Sequence, residues 1–283
     1  MKVLQWNMSS YYTQFEEMKI LIQEQDPTCL CLQETRHNNR ILYPPSGYKI
    51  IQSSSSRADD RDRGVAILIS KTTNYRPLTL NVPENIEAVA IQVYSERFYT
   101  VCSIYLSPSL SVTKENMVDL IEQLPKPFLL LGDMNARHSS WGEESSNRKG
   151  EMFEQLLLEN DIILLNDTDK THYWAQNNVH TLIDLSISSP DCYPDFLCNV
   201  SQDLHGSDHY PIIIEKITTE DFADPPLKFK IDKADWNEYC TLTQQVPASL
   251  VEQHPVDQSV ERLTNFILEA AKIAVPISAG RKN

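Results

Sequence analysis

The stretch Leu129-Leu130-Leu131-Gly132-Asp133-Met134-Asn135-Ala136-Arg137-His138 ends an apolar run in Gly-Asp-x-Asn. A carboxylate and a carboxamide then stand two residues apart, on the same side if the backbone stays extended. An acid or base beside a hydrogen-bond donor, held on a rigid strand end, suits attack on a phosphate or carbonyl. An Asx turn closing a strand uses the same residue types, so the choice rests on what other strand ends supply. They supply Asn7, Glu34, Tyr105, Asp184, Asp208 and His209. Hard oxygen ligands with a single imidazole suit Mg²⁺ or Mn²⁺ rather than zinc. Asp184 interrupts the apolar pattern Thr181-Leu182-Ile183-Asp184-Leu185-Ser186-Ile187, and a buried carboxylate is costly without a partner. His209 is the candidate, because a carboxylate fixes an imidazole's tautomer and favours its charged form. A metal, a charged imidazole and a tyrosyl hydroxyl around one phosphate would stabilise the charged transition state of hydrolysis.

The elements that must carry these groups follow from patterning. Residues 2–6 and 28–32 read as strands, and the helix between them presents Phe15, Met18, Leu21 and Ile22 on one face. Thr13-Gln14-Phe15-Glu16 has capping-box spacing, and Asp26-Pro27 stops the helix. This strand–helix–strand unit predicts that Asn7 and Glu34 lie side by side. Strands are expected at 48–52 and 64–70, and a hairpin over 86–94 and 98–106 turns at Ser95-Glu96-Arg97. An amphipathic helix over 113–124 then leads to the strand at Phe128–Leu131, whose unbroken apolar run predicts burial on both faces. A helix from Arg148 to about Asn160, short strands at 162–165 and from Tyr173-Trp174, and strands at 181–187, 196–200 and up to Ile217 complete the pattern. Arg57, Arg61 and Arg63 alternate with aspartates in a serine-rich loop, which reads first as solvated, with phosphate contact the minority reading.

Acidic residues outnumber basic ones, 39 to 25, for a formal charge of -14. That argues against a surface coated in basic residues, though not against a local basic groove or a metal-assisted approach to phosphate. No apolar run is long enough to span a membrane, and the N-terminus turns polar too early for a secretory signal. None of the six cysteines forms a Cys-x-x-Cys pair, so an intracellular, reduced protein without a zinc site is expected.

The ordered set Trp6-Asn7, Gln33-Glu34-Thr35, Tyr105, Gly132-Asp133-Met134-Asn135-Ala136, Ile183-Asp184-Leu185 and Gly206-Ser207-Asp208-His209-Tyr210-Pro211-Ile212 resembles the endonuclease/exonuclease/phosphatase superfamily. That superfamily includes DNase I and the abasic-site endonucleases. The resemblance implies an α/β fold, a four-layer sandwich of two packed mixed sheets flanked by helices. Ala136-Arg137-His138-Ser139-Ser140-Trp141-Gly142 and Asn147-Arg148-Lys149-Gly150 are more similar to the endonuclease domains of non-LTR retrotransposons of the jockey and I groups. Residues 1–218 form the expected nuclease domain. Residues 219–283, with Lys233-Ala234-Asp235-Trp236 and Ala270-Ala271-Lys272, resemble the mainly helical segment that leads towards a reverse transcriptase.

The resemblance implies roles. Glu34 is the main ligand of Mg²⁺ or Mn²⁺, with Asp208 and Asn7 beside it. Asp133 orients or deprotonates the attacking water, and Asn135 holds that water or the phosphate. His209, held by Asp184, and Tyr105 support a non-bridging phosphate oxygen. Arg36, Arg137, His138 and Ser207 are candidate DNA contacts, and for each of the first three taken singly a solvated loop is the preferred reading. The implied partners are DNA and, through the rest of a polyprotein, the element's RNA, with action in the nucleus and no membrane. Ser9 and Ser10 stand where repair enzymes often carry an acidic residue and a glycine, and Leu182-Ile183 where they often have Arg-Ile. A same-fold phosphatase, an abasic-site repair nuclease and a non-catalytic binding descendant are the alternatives. The phosphatase predicts a basic pocket for several phosphates, and the descendant predicts damaged strand ends.

Overall fold

The computed structural model describes residues 1–38, 40–53, 64–217, 230–244, 246–247 and 256–276. The arginines of the serine-rich loop, and Asn39, lie outside them. The chain divides into two compact units, Met1–Ile217 and Thr218–Asn283.

In the first unit, β1 (Lys2–Asn7), α1 (Phe15–Gln25) and β2 (Cys29–Gln33) form a parallel strand–helix–strand unit that sets Asn7 opposite Gln33. β3 (Tyr48–Gln52) and β4 (Ala66–Ser70) extend this sheet. β5 (Tyr75–Leu78), β6 (Glu87–Ser95) and β7 (Arg97–Tyr105) open a second sheet, with Glu96 turning the hairpin at φ 63. α2 (Lys114–Glu122) carries the chain to β8 (Phe128–Asp133), parallel to β7, with Tyr105 opposite Asp133. α3 (Arg148–Glu159) and β9 (Ile163–Leu164) follow. β10 (His172–Trp174) and β11 (Val179–Thr181) make a separate hairpin, and β12 (Asp184–Ser188) returns beside β8. β13 (Phe196–Val200) and β14 (Ile212–Lys216) close the first sheet. The strand orders are β13-β14-β1-β2-β4-β3 and β5-β6-β7-β8-β12-β9.

Three apolar layers hold these elements. Val3, Cys31 and Ile67 of the first sheet meet Val101, Leu129 and Leu131 of the second. Leu4, Trp6 and Leu30 face outwards onto Met18 and Leu21 of α1. Leu130 faces the other way, onto Met117 and Leu120 of α2 and Phe153 and Leu156 of α3. Leu129, Leu130 and Leu131 are all fully buried, so β8 has core on both faces. Each such side chain contributes about 1.5–3 kcal/mol of burial. The result is helix, sheet, sheet, helix: the four-layer α/β sandwich expected. Gly132 lies where β8 runs tight against β7, and a Cβ there would sit 1.8 Å from the Ile104 carbonyl oxygen.

Several local readings change. The capping box at Thr13 does not form: Gln14 is the N-cap, and its side chain donates instead to the Gly206 carbonyl, 2.6 Å away. The Thr113 box does form, with Asn116 as its partner. The expected strand at 181–187 is two strands, because Leu182-Ile183 passes from the hairpin into the second sheet. β5 carries too little alternation to show in sequence.

The second unit holds a short 3-10 turn at Ile231–Lys233, α4 (Trp236–Thr243) and α5 (Val256–Ala274). Asp235 caps α4 by accepting from the backbone N–H groups of Asn237 and Glu238, while its own N–H donates to the carbonyl of Ala274. No helix among the described residues is long and apolar enough to cross a membrane.

Candidate active site

The paired parallel strands deliver their ends to one place. Asn7 closes β1 and its amide donates to both Glu34 Oε1 (3.1 Å) and Asp133 Oδ2 (2.9 Å). One carboxamide from the first sheet therefore bridges a carboxylate from each sheet. Glu34 is turned towards it by a left-handed backbone, φ 49, immediately after β2. Its second oxygen lies 3.4 Å from the Arg36 guanidinium. The buried Tyr105 hydroxyl bonds to the Glu34 side chain, and burial first, then the charges of Glu34 and Asp133, raise the tyrosine pKa. Tyr105 therefore stays a neutral donor.

Asp133 is almost fully buried, and burial pushes its pKa up to about 7 against the opposing charge of His209. His209 Nε2 is 3.9 Å from Asp133 Oδ2, while His209 Nδ1 is 2.8 Å from Asp184 Oδ2. The Asp184–His209 pairing is thus formed. Asp184 also accepts from the Thr171 hydroxyl (2.7 Å) and the Gln5 amide (3.0 Å). Burial acts to raise the Asp184 pKa, but the His209 charge and these hydrogen bonds leave it lowered. Burial acts to lower His209, and Asp184, Asp133 and Asp208 together overcome it, pushing its pKa to about 10. His209 is therefore an imidazolium at neutral pH.

Asp208 is exposed. The His172 ring, 3.8 Å away, lowers its pKa, helped by His209 and by the Ser9 hydroxyl, which donates to Oδ1 at 2.9 Å. Ser207 is buried and donates its hydroxyl to the Asn7 carbonyl, 2.7 Å away, so that hydroxyl ties the Gly206–His209 turn to β1. Ser9 thus takes a direct part through its hydroxyl.

Asn135 departs from simple alternation. Its backbone is left-handed, φ 48, and its N–H donates to Asp133 Oδ1 at 3.0 Å. The Asx turn and the strand-end carboxylate coexist here. The Asn135 amide donates to the Leu106 carbonyl at 3.2 Å, holding the exit of β7. His138 caps the short 3-10 turn at Ser139–Trp141, accepting from the Ser140 N–H. Arg137 is exposed beside a cavity described below.

Gln5, Ser103, Thr171 and His172 escaped the sequence reading. Gln5 donates to Gln33 (2.8 Å) as well as to Asp184, and Gln33 donates to Ser103 (2.8 Å). This buried polar ladder crosses between the sheets directly beneath the acids. Thr171 joins it through Asp184, and His172 packs its ring 4.6 Å from that of His209. The cue in sequence was polar glutamine at a core position of an apolar strand, in Gln5 and again in Gln33.

The donor set discriminates between places for a metal. Asp133, Asp184 and His209 cluster tightly, but Asp184 is already saturated by three donors and the three groups act as an ion-paired unit. Glu34 at the rim and exposed Asp208 are oxygen donors that fit a hard divalent cation.

Two packed mixed sheets of six strands flanked by helices give the chain a DNase I-like fold, with acids and a carboxylate-held histidine at the strand ends. Residues 99–213 match the family model described as endonuclease-reverse transcriptase. The chain is 22% identical over 281 residues to a probable RNA-directed DNA polymerase from transposon X-element of Drosophila melanogaster, covering 97% of this chain and 31% of that protein. To the RNA-directed DNA polymerase from mobile element jockey of the same organism it is 25% identical over 285 residues, covering 98% and 30%. The chain thus spans about a third of the length of these curated relatives. Among solved structures, the endonuclease domain of TRAS1, a telomere-specific non-LTR retrotransposon, matches with a TM-score of 0.63 at 20% identity, over 76% of this chain and 97% of that one. An AP endonuclease from Leishmania major matches with a TM-score of 0.59 at 14% identity, over 77% and 88%. The chain is thus similar to polymerase proteins of non-LTR elements, and it shares the fold of an endonuclease domain from one such element.

Proposed function

We propose that the protein is a DNA endonuclease that uses Mg²⁺ or Mn²⁺ to nick target DNA. The observation that carries this reading is the Asn7 bridge: it holds a basic Asp133 and a rim Glu34 beside an imidazolium locked by Asp184. Glu34 and Asp208, with Asn7 adjoining, would hold the cation, which when bound offsets the charge developing on the phosphate. Asp133, with a pKa of about 7, is matched to taking a proton from the attacking water at neutral pH. Asn7 fixes the Asp133 carboxylate, and Asn135 would hold the water or the phosphate. His209 donates from Nε2 to a non-bridging oxygen while Asp184 holds Nδ1. Tyr105 donates to the same phosphate. The water oxygen bonds to phosphorus as the P–O3′ bond breaks, and the departing O3′ takes a proton from solvent, leaving a 3′-hydroxyl and a 5′-phosphate. That hydroxyl would prime reverse transcription of the element's RNA in the nucleus by a polymerase elsewhere in the polyprotein. The test is supercoiled plasmid incubated with the protein in Mg²⁺ or in EDTA. Conversion to open circle in Mg²⁺ alone is expected; no conversion, or conversion in EDTA, refutes the reading.

A further inference from the structure

A cavity of about 480 Å³ opens beside Asn135, and Arg137, Arg148 and Lys149 line it. Its size falls within the roughly 300–1,000 Å³ of ligand sites in general. In a chain of net charge -14, none of its lining residues is acidic. Arg137 and Arg148 are exposed, and neither forms an ion pair among the described residues. Lys149 is buried, with its ammonium donating to the carbonyls of Leu106 and Ser107. Burial pushes its pKa down to about 8, while the charge of Asp133 opposes that shift.

The placement of these cations is unfavourable by itself. Arg148 and Lys149 occupy the first turn of α3, where the helix dipole already presents positive charge. Tight backbone packing fixes them there: a Cβ on Gly150 would lie 1.8 Å from the Arg137 carbonyl oxygen. Arg137, Arg148 and Lys149, at the N-terminus of α3, therefore line one cavity with no acidic residue among its described lining residues. Asn135 joins this cavity to the acids, since it lines the cavity and its N–H donates to Asp133.

We propose that this cavity is a second phosphate subsite, which holds a backbone phosphate flanking the scissile one through Arg137 and Arg148. The proposal rests on the nuclease reading and says where the strand continues beyond the acids. It makes Arg137 and Arg148 positioning groups that set register on the strand without entering the chemistry.

The test is binding of a fluorescent DNA duplex in EDTA, followed by anisotropy across a range of salt concentrations. The plot of log K against log salt has a slope of about -0.9 per phosphate neutralised. The double variant Arg137→Gln/Arg148→Gln should flatten that slope by about one such step and weaken binding. A control, Lys71→Gln/Lys126→Gln, removes the same charge from exposed positions outside the cavity and should leave the slope close to wild type. An unchanged slope in the cavity variant, or equal flattening in the control, overturns the subsite. The nuclease reading fails separately, if wild type does not cut plasmid with metal while the slope difference persists.

Discussion

Replacing His209 by alanine isolates the pair on which the proposed chemistry depends. Asp184 is fully buried and would keep only the Thr171 and Gln5 donors once the imidazole is gone. Breaking a buried ion pair by removing one partner costs about 3–5 kcal/mol. For a domain of this size that is a melting temperature lower by about 6–20 °C. Asp184→Asn strands the other partner, an imidazole that burial then drives towards its neutral form. Each single variant should lose about 10²–10⁴-fold in cleavage, the range for a positioned proton donor or charge. The double variant Asp184→Asn/His209→Ala should be little worse than the worse single one, because the two act as one unit. The same coupling has a pH signature in metal-free protein. The folded His209 pKa, about 10, lies above its ordinary 6.5, so its stabilisation is whole below pH 6.5 and is lost as pH rises through about 10. Melting scans in EDTA from pH 6 to 10 should therefore fall more steeply for wild type than for Asp184→Asn. Multiplicative losses of activity in the double-mutant cycle, or parallel melting curves, would show that Asp184 and His209 are not coupled.

Glu34→Ala should abolish metal-dependent nicking while circular dichroism stays native, and calorimetric Mg²⁺ binding should disappear; near-normal cleavage would remove Glu34 from the site. Asp133→Asn should abolish cleavage yet stabilise the metal-free protein by about 1–3 kcal/mol above pH 7, since a raised carboxylate pKa makes ionisation a folding cost that grows as pH climbs from about 4 to 7. Urea denaturation at pH 8 checks this, and a loss of stability there contradicts it. Gly132→Ala forces β8 away from the Ile104 carbonyl and should cost at least about 1–3 kcal/mol, read as a lower urea midpoint. A chain ending at residue 218 should fold and nick plasmid alone; an insoluble or inactive product would make the remainder part of the nuclease core.

Much of this was legible because period and position say where strands end. The triple leucine of β8 marked a doubly buried strand, and the strand–helix–strand unit from β1 to β2 put Asn7 beside Glu34. The need of a buried Asp184 for a partner found His209 across 25 residues of sequence. Other features depend on tertiary contact. The Thr13 box was spaced correctly, but Gln14 found a better acceptor in Gly206, far along the chain. Alternation puts Asn135 on the Asp133 side of an extended strand, whereas a left-handed turn positions it in the structure. His172 carries no local signal at all; a two-strand hairpin brings its ring against His209.

The ladder of Gln5, Gln33, Ser103 and Asp184 has a consequence for how the two sheets find each other. A seam of valine, leucine and isoleucine alone is forgiving: sliding one sheet by two residues, about 6.6 Å, presents similar greasy faces again. Four buried polar side chains remove that freedom. Any slipped alignment strands at least some of them without partners, at about 1–3 kcal/mol for each neutral group and more for the aspartate. The ladder therefore works as a key in the seam, and only one alignment turns it. Because β1, β2, β7 and β12 carry both the key and the strand ends above it, the docking of two sheets and the assembly of the acids are a single event.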